Sequence, residues 1–172
     1  MAIDFTDEQT RIEQHRVDAE TDPLTGLLNR RGLEARWSGS VSSGGAILAI
    51  DLDGFKAVND RHGHDVGDQV LKIASQRLIA STRGHDIVSR VGGDEFLIIV
   101  SGDRKSAEAV AERIVRAFRS DISVGDIEAP VRASIGGALI SASEPLAHTA
   151  ARADQFLYEQ KRAGKDGWKL EK

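Results

Sequence analysis

The run Arg90-Val91-Gly92-Gly93-Asp94-Glu95-Phe96 constrains this chain more than any other stretch. Apolar residues flank it, Ile87-Val88 before and Leu97-Ile98-Ile99-Val100 after. Two glycines between strand-like runs predict a hairpin, because glycine adopts the positive φ angles that tight hairpins use. Asp94 and Glu95 stand right at that turn. Adjacent carboxylates repel each other and add nothing to a core, so they point to a bound cation or a proton acceptor. Taken alone, Gly-Gly-Asp-Glu also reads as a plain polar hairpin turn.

The hairpin sits within a longer alternation of helix and strand patterns. Thr6-Asp7-Glu8-Gln9 has capping-box spacing, and a mostly polar helix is expected to follow as far as Glu20. Phe5, Ile12 and Val17 give it only a thin apolar stripe, which suits a linker or a dimer contact. Asp22-Pro23 breaks it. A short helix is expected over Arg30–Trp37 and a Ser/Gly-rich loop over Ser38–Gly45. Ala46-Ile47-Leu48-Ala49-Ile50 is a continuous apolar run, the pattern of a strand buried on both faces. Helices are expected over Phe55–Arg61 and Val66–Ala80, the second with Val70, Leu71, Ala74 and Leu78 on one face. Ala107, Val110, Ala111, Ile114, Ala117 and Phe118 fall at helical spacing. Val131–Ile140 reads as a strand, with Gly136-Gly137 expected to loosen it. A last helix is expected from Pro145 or Leu146 to Ala163. Strands separated by helices, plus one hairpin, predict an α/β (α+β) domain with a central, mainly antiparallel sheet flanked by helices.

Composition narrows the function classes. With 172 residues the chain can bury one proper core. A net charge of −4 offers no general basic field for a nucleic-acid polymer. The absence of cysteine excludes disulfides, thiolate catalysis and Cys-type zinc sites. No apolar run reaches the length of a membrane span and the N-terminus lacks a signal-peptide pattern, so a cytoplasmic protein or fragment is expected.

Asp51 and Asp53 end the apolar strand and, as alternate residues, share one face. They could hold a hard cation such as Mg²⁺, or cap the helix starting at Gly54 or Phe55. If that strand lies beside the hairpin, three or four carboxylates converge, which would make a Mg²⁺ site for phosphoryl or nucleotidyl transfer.

With these residues in view, the chain resembles a GGDEF domain, the catalytic module of diguanylate cyclases. Asp22-Pro23-Leu24-Thr25-Gly26-Leu27-Leu28-Asn29-Arg30-Arg31 resembles the family's opening signature. Asp51 to Asp60, Gly63-His64-Asp65-Val66-Gly67-Asp68, Arg90 to Phe96, Ser134-Ile135-Gly136 and the ending Ala153-Asp154, Leu157-Tyr158, Lys161, Gly164-Lys165 follow in family order and spacing. The resemblance starts at Asp22 and runs nearly to the C-terminus. It implies a catalytic domain over residues 22–172, preceded by a helix or linker over residues 1–21 that could serve as a dimer stalk.

The resemblance further implies a polymerase-palm-like fold that joins two GTP molecules into cyclic di-GMP and releases two pyrophosphates. Asp51 and Asp94 would bind Mg²⁺ (with Mn²⁺ as a substitute), helped by the Leu52 carbonyl. Glu95 would activate the 3′-hydroxyl or share the metal. The backbone around Gly54, Phe55 and Lys56 would cradle phosphate, as amides at a helix start attract anions. Lys161 and Lys165 would reach the outer phosphates; without the family match they read as a solvated helix face. Asn59 and Asp68 would read guanine, Asp68 by accepting from the ring N–H and exocyclic amine. His64 would either assist there or support its loop. Arg83 and Asp86, with Arg113, would form a product-binding inhibitory site; the bland alternative is a surface ion pair at a helix end. Each domain would hold one GTP, so catalysis would require a homodimer. The alternatives are a non-catalytic module binding GTP or cyclic di-GMP, and, more weakly, another nucleotide cyclase or polymerase on a similar palm.

Overall fold

A computed structural model describes residues 5–40 and 44–172. Helix α1 covers Phe5–Glu20, and its Ile12 and Val17 are exposed, as its thin apolar stripe implies. Within the described residues α1 runs from Phe5, so Thr6 lies inside it. Helix α2 covers Arg30–Ser40 and extends past the expected end at Trp37. Strand β1 covers Gly45–Asp53. Ser38–Ser40 of the expected loop belong to α2 and Gly45 to β1, while its residues 41–43 lie outside the described residues.

Helices α3 (Phe55–His62) and α4 (His64–Ser81) follow, then the hairpin strands β2 (Ile87–Arg90) and β3 (Glu95–Ser101), and helix α5 (Arg104–Ala117). Strands β4 (Ile122–Val124) and β5 (Ile127–Ala129) form a small separate ribbon. Strand β6 (Arg132–Leu139), helix α6 (Leu146–Ala163) and strand β7 (Gly167–Leu170) complete the chain. The main sheet has the order β2-β3-β1-β6-β7. It is antiparallel except for β6 and β7, which run parallel because α6 carries the chain back across the sheet. No helix among the described residues is long and apolar enough to cross a membrane.

β1 is central and buried on both faces. Leu48, Ile50 and Leu52 pack with Phe96, Ile98 and Ile135 beneath α4 and α5. Ile47 and Ala49 pack with Leu97, Ile99 and Ala138 beneath α2 and α6. Fully burying one such Leu or Ile contributes roughly 1.5–3 kcal/mol. A one-residue slip would instead drive Asp51 and Asp53 into the α4–α5 core, so the register is tightly specified.

Gly136 does not loosen β6. A Cβ there would lie 2.0 Å from the Leu157 nitrogen and 2.3 Å from the Ala153 oxygen, so the glycine lets α6 press directly on the strand. At Gly137 a Cβ would lie 2.8 Å from Leu170 Cγ and 2.9 Å from Leu48 Cδ2. Close approach of α6 carries its last turn over the end of β1.

Candidate active site

The site forms where β1 ends beside the hairpin. Asp51 pairs across the sheet with Glu95, and the Leu52 N–H donates to the Asp94 carbonyl at 3.3 Å. Burial, followed by the charge of Asp51 and a hydrogen bond shared with it, pushes the Asp94 carboxyl up to about 6. From the last turn of α6, the Lys161 ammonium donates to Asp51 Oδ2, with the Asp51 side chain 17% exposed. Two carboxylates and one ammonium thus share the end of the strand.

The broader convergence of three or four carboxylates is not what forms. Among the described residues no group of three or more His, Cys, Asp or Glu side chains could hold a metal ion. Asp53 bonds instead to the Ser134 hydroxyl at 2.5 Å. The capping alternative fails too, since α3 has no side-chain cap. Paired oxygen donors still fit Mg²⁺, which commonly binds one or two carboxylates and completes its shell with water and substrate phosphates. The ammonium on Asp51 marks this position as one that accepts a cation.

Glu95 is exposed, and a Cβ on Gly92 would lie 2.7 Å from its Oε2. The carboxylate thus folds back over Gly92. Neither Gly92 nor Gly93 adopts a positive φ, contrary to the hairpin expectation. Gly92 is needed for the room it leaves Glu95. Val91 and Gly92 N–H groups close the turn on the Glu95 carbonyl at 3.0 and 3.3 Å.

Sequence reasoning missed the groups that stake this hairpin down. Arg90 Nη1 donates to both Asp22 oxygens at 3.0 Å, while Nε and Nη2 donate to the Gly93 carbonyl at 3.0 and 2.9 Å. Asp22 also accepts from the Thr25 hydroxyl at 2.6 Å. Both residues fall in motifs noted in the sequence, but nothing local signals a partner 68 positions away.

The remaining expected residues lie on α3, on α4 and in the turn after α6. Asn59 on α3 lies against Gly67, the residue before Asp68: a Cβ on Gly67 would fall 1.7 Å from Asn59 Oδ1. That oxygen is buried with no hydrogen-bond partner. Asp68 and His64 are exposed on α4. Phe55 belongs to the core, so only its backbone at the start of α3 is available, while Lys56 is exposed. Lys165 is exposed in the turn after α6.

Arg83, Asp86 and Arg113 lie apart, at the far end of α4. No Arg83–Asp86 ion pair forms. The Asp86 side chain is fully buried and accepts from the backbone N–H groups of Arg83 at 2.8 Å and Ser101 at 3.0 Å. The exposed Arg83 lines a groove of about 540 Å³ with Leu28, Arg36, Ile79 and Val88. Arg113 Nε donates to the Ser81 carbonyl at 2.9 Å.

Comparison with known proteins identifies the family. The family model described as "Diguanylate cyclase, GGDEF domain" matches residues 19–167. The chain is 34% identical over 170 residues to the diguanylate cyclase DgcS of Shewanella oneidensis, covering 93% of this chain and 55% of that protein. It is 36% identical over 141 residues to the cyclic di-GMP phosphodiesterase PdeR of Escherichia coli, covering 79% of this chain and 21% of that protein. The chain therefore spans between about a fifth and about a half of these relatives. The crystal structure of the diguanylate cyclase SiaD of Pseudomonas aeruginosa, in complex with its activator SiaC, superposes with a TM-score of 0.83 at 32% identity, covering 95% of this chain and 67% of that one. The mostly antiparallel sheet flanked by helices is accordingly the family's architecture, and the chain belongs to the GGDEF domain family.

Proposed function

We propose that this chain is a diguanylate cyclase module that condenses two GTP molecules into cyclic di-GMP. The observation that carries the reading is the Asp51–Asp94 pair, with Lys161 against Asp51 and Glu95 directly across the sheet. Each 3′-hydroxyl attacks the α-phosphate of the other nucleotide. Two new P–O bonds form, two α–β bonds break, two pyrophosphates leave, and each hydroxyl gives up a proton.

Asp51 and Asp94, with the Leu52 carbonyl, would hold Mg²⁺, which supplies neutralisation of phosphate charge. Glu95, exposed and held over Gly92, is the group free to accept the hydroxyl proton. Amides at the start of α3, uncapped by any side chain, suit phosphate, and Lys161 and Lys165 add positive charge. Asp68, exposed on α4 beside the Asn59–Gly67 contact, suits recognition of a base edge by accepting from its N–H groups. Each domain brings one nucleotide, so two domains must meet, and α1 with its exposed Ile12 and Val17 is the element suited to join them. The groove beside Arg83 is the place for product inhibition, since an arginine fork matches the O6/N7 edge of guanine.

A second reading is a module that binds GTP or cyclic di-GMP without turnover, inside a larger protein. The match to PdeR, named as a phosphodiesterase, favours it. The two readings separate in a Mg²⁺-dependent incubation of nucleotide-stripped protein with GTP at several protein concentrations, with product identified by mass. Cyclic di-GMP rising faster than linearly with protein supports the dimeric enzyme. Binding without product supports the second reading.

A further inference from the structure

Asp53 stands two residues beyond Asp51 on the same face of β1, yet it takes no part in the carboxylate pair. Its Oδ2 accepts the Ser134 hydroxyl at 2.5 Å and the backbone N–H of Asp166 at 3.3 Å. Ser134 is fully buried on β6, in register with Asp51 on one side and Gly167 on the other. One carboxylate oxygen thus joins the end of β1, its neighbour β6 and the turn that enters β7.

That turn has an uncommon backbone. Lys165 has φ 61° and Asp166 has φ 40°, both in the left-handed region that residues with a Cβ seldom enter. Such conformations persist where surrounding structure over-determines them, and they concentrate at functional sites. From the helix side, Gln160 accepts the Lys165 N–H and its side chain donates to the Lys165 carbonyl, both at 3.3 Å. From the strand side, Asp53 accepts the next N–H. Had α6 continued regularly, Lys165 would lie one turn beyond Lys161 on the same helix face. The left-handed pair instead folds the chain back to β7 and leaves Lys165 exposed at the turn. A lysine is a point charge on a flexible stem, so where its backbone is pinned decides what it reaches.

We propose that Asp53 is a positioning residue that pins the Lys165 turn to the strand bearing Asp51, fixing the spacing between the Asp51–Asp94 pair and the lysine that contacts the outer phosphates of a nucleoside triphosphate. The inference rests on the GTP reading of the site. It gives Asp53 a task distinct from that of Asp51: Asp53 contacts no substrate and acts through the backbone of residues 165–166.

The test compares Asp53→Ala, Asp53→Asn, Lys165→Ala and the Asp53→Ala/Lys165→Ala double variant. Calorimetric titration with Mg²⁺ measures binding of a non-hydrolysable GTP analogue and of guanosine monophosphate, and amide exchange is followed at Asp166. Asp53→Ala is expected to weaken the triphosphate analogue about tenfold, the scale of one charge-assisted contact, and to leave the monophosphate within about twofold. The Asp166 amide should exchange faster. Asp53→Asn, whose amide oxygen can still accept, should recover most of the affinity. In the Lys165→Ala background the Asp53 change should add nothing. If Asp53→Ala does not fold, the same cycle is run with Asp53→Asn, whose smaller loss must vanish without Lys165. Wild-type affinity in Asp53→Ala, or losses that multiply in the double variant, would overturn the inference alone. A wild-type protein that fails to bind the analogue would overturn the GTP reading, and this inference with it.

Discussion

Arg90 and Asp22 are joined by a two-pronged ion pair, both contacts at 3.0 Å, that ties the hairpin to the turn after α1. Burial pushes the Asp22 carboxyl up, but hydrogen bonds from Thr25 and Arg90 outweigh it and hold the group below the ordinary range. A carboxyl depressed in the folded state stabilises above its unfolded pKa and loses that contribution as pH falls through the folded value. Asp22→Asn should therefore cost on the order of 1 kcal/mol at pH 7, solvent screening having reduced the effect. In urea denaturation the gap between the two proteins should close as pH falls below about 4.

The opposite sign applies to Asp94. Its carboxyl is raised from 3.8 to about 6, so between those values the folded protein binds more protons than the unfolded chain. Its contribution to stability therefore falls as pH rises from 3.8 towards 6 and stays low above that. Asp94→Asn should stabilise the metal-free protein at pH 7 by on the order of 1 kcal/mol, solvent screening having reduced the effect, and flatten its stability between pH 4 and 7. Denaturation at each pH without divalent metal checks this. Because protons compete with cations at this pair, Mg²⁺ affinity of the wild type should rise with pH through about 6.

At the far end of α4, two residues of one motif separate into different tasks. Arg83 is exposed on its groove, whereas the buried Asp86 carboxylate holds two backbone N–H groups. Arg83→Ala should relieve product inhibition with stability within about 0.5 kcal/mol of wild type. Asp86→Ala strands two donors and should cost about 2 kcal/mol or more, mixing regulation with unfolding. Inhibition curves with added cyclic di-GMP, beside thermal melts, separate the two. An Arg83→Ala variant as inhibitable as wild type would sink the assignment.

Glu95→Gln should abolish turnover while the melting temperature stays within about 2 °C of wild type, because the side chain is exposed. Turnover by this variant would remove Glu95 from the chemistry.

How much of this was legible follows from the length of each signal. β1 and α4 declare themselves by unbroken or periodic apolar runs. β4, β5 and β7 escape because strands of 3 or 4 residues offer too few alternations to register a period. The positions of Asp51, Asp94 and Glu95 could be named from sequence, but their contacts could not. Lys161 meets Asp51 across 110 residues, brought there by α6 packing on Gly136. Asp53, two residues from Asp51, looked like its twin until Ser134 and Asp166 claimed it. The Gly92-Gly93 turn was found for a reason the backbone does not use.

Lys161 yields a prediction in which two readouts move in opposite directions. In the free protein its ammonium neutralises Asp51, the neighbour of the raised Asp94 carboxyl. A divalent cation arriving there without nucleotide must displace that ammonium. With GTP bound, the same ammonium is the group proposed to meet phosphate oxygens. Lys161→Met keeps most of the apolar stem and removes the charge. Metal alone should then bind more tightly, by a factor of about three to ten, because no resident cation competes for Asp51. The Mg²⁺–GTP-analogue complex should bind more weakly by a similar factor, because a phosphate partner is lost. Calorimetry with Mn²⁺ alone and then with the analogue measures both. If metal alone binds Lys161→Met no better than wild type, the ammonium does not hold the cation position in solution. If the analogue binds equally well to both proteins, Lys161 does not serve the phosphates.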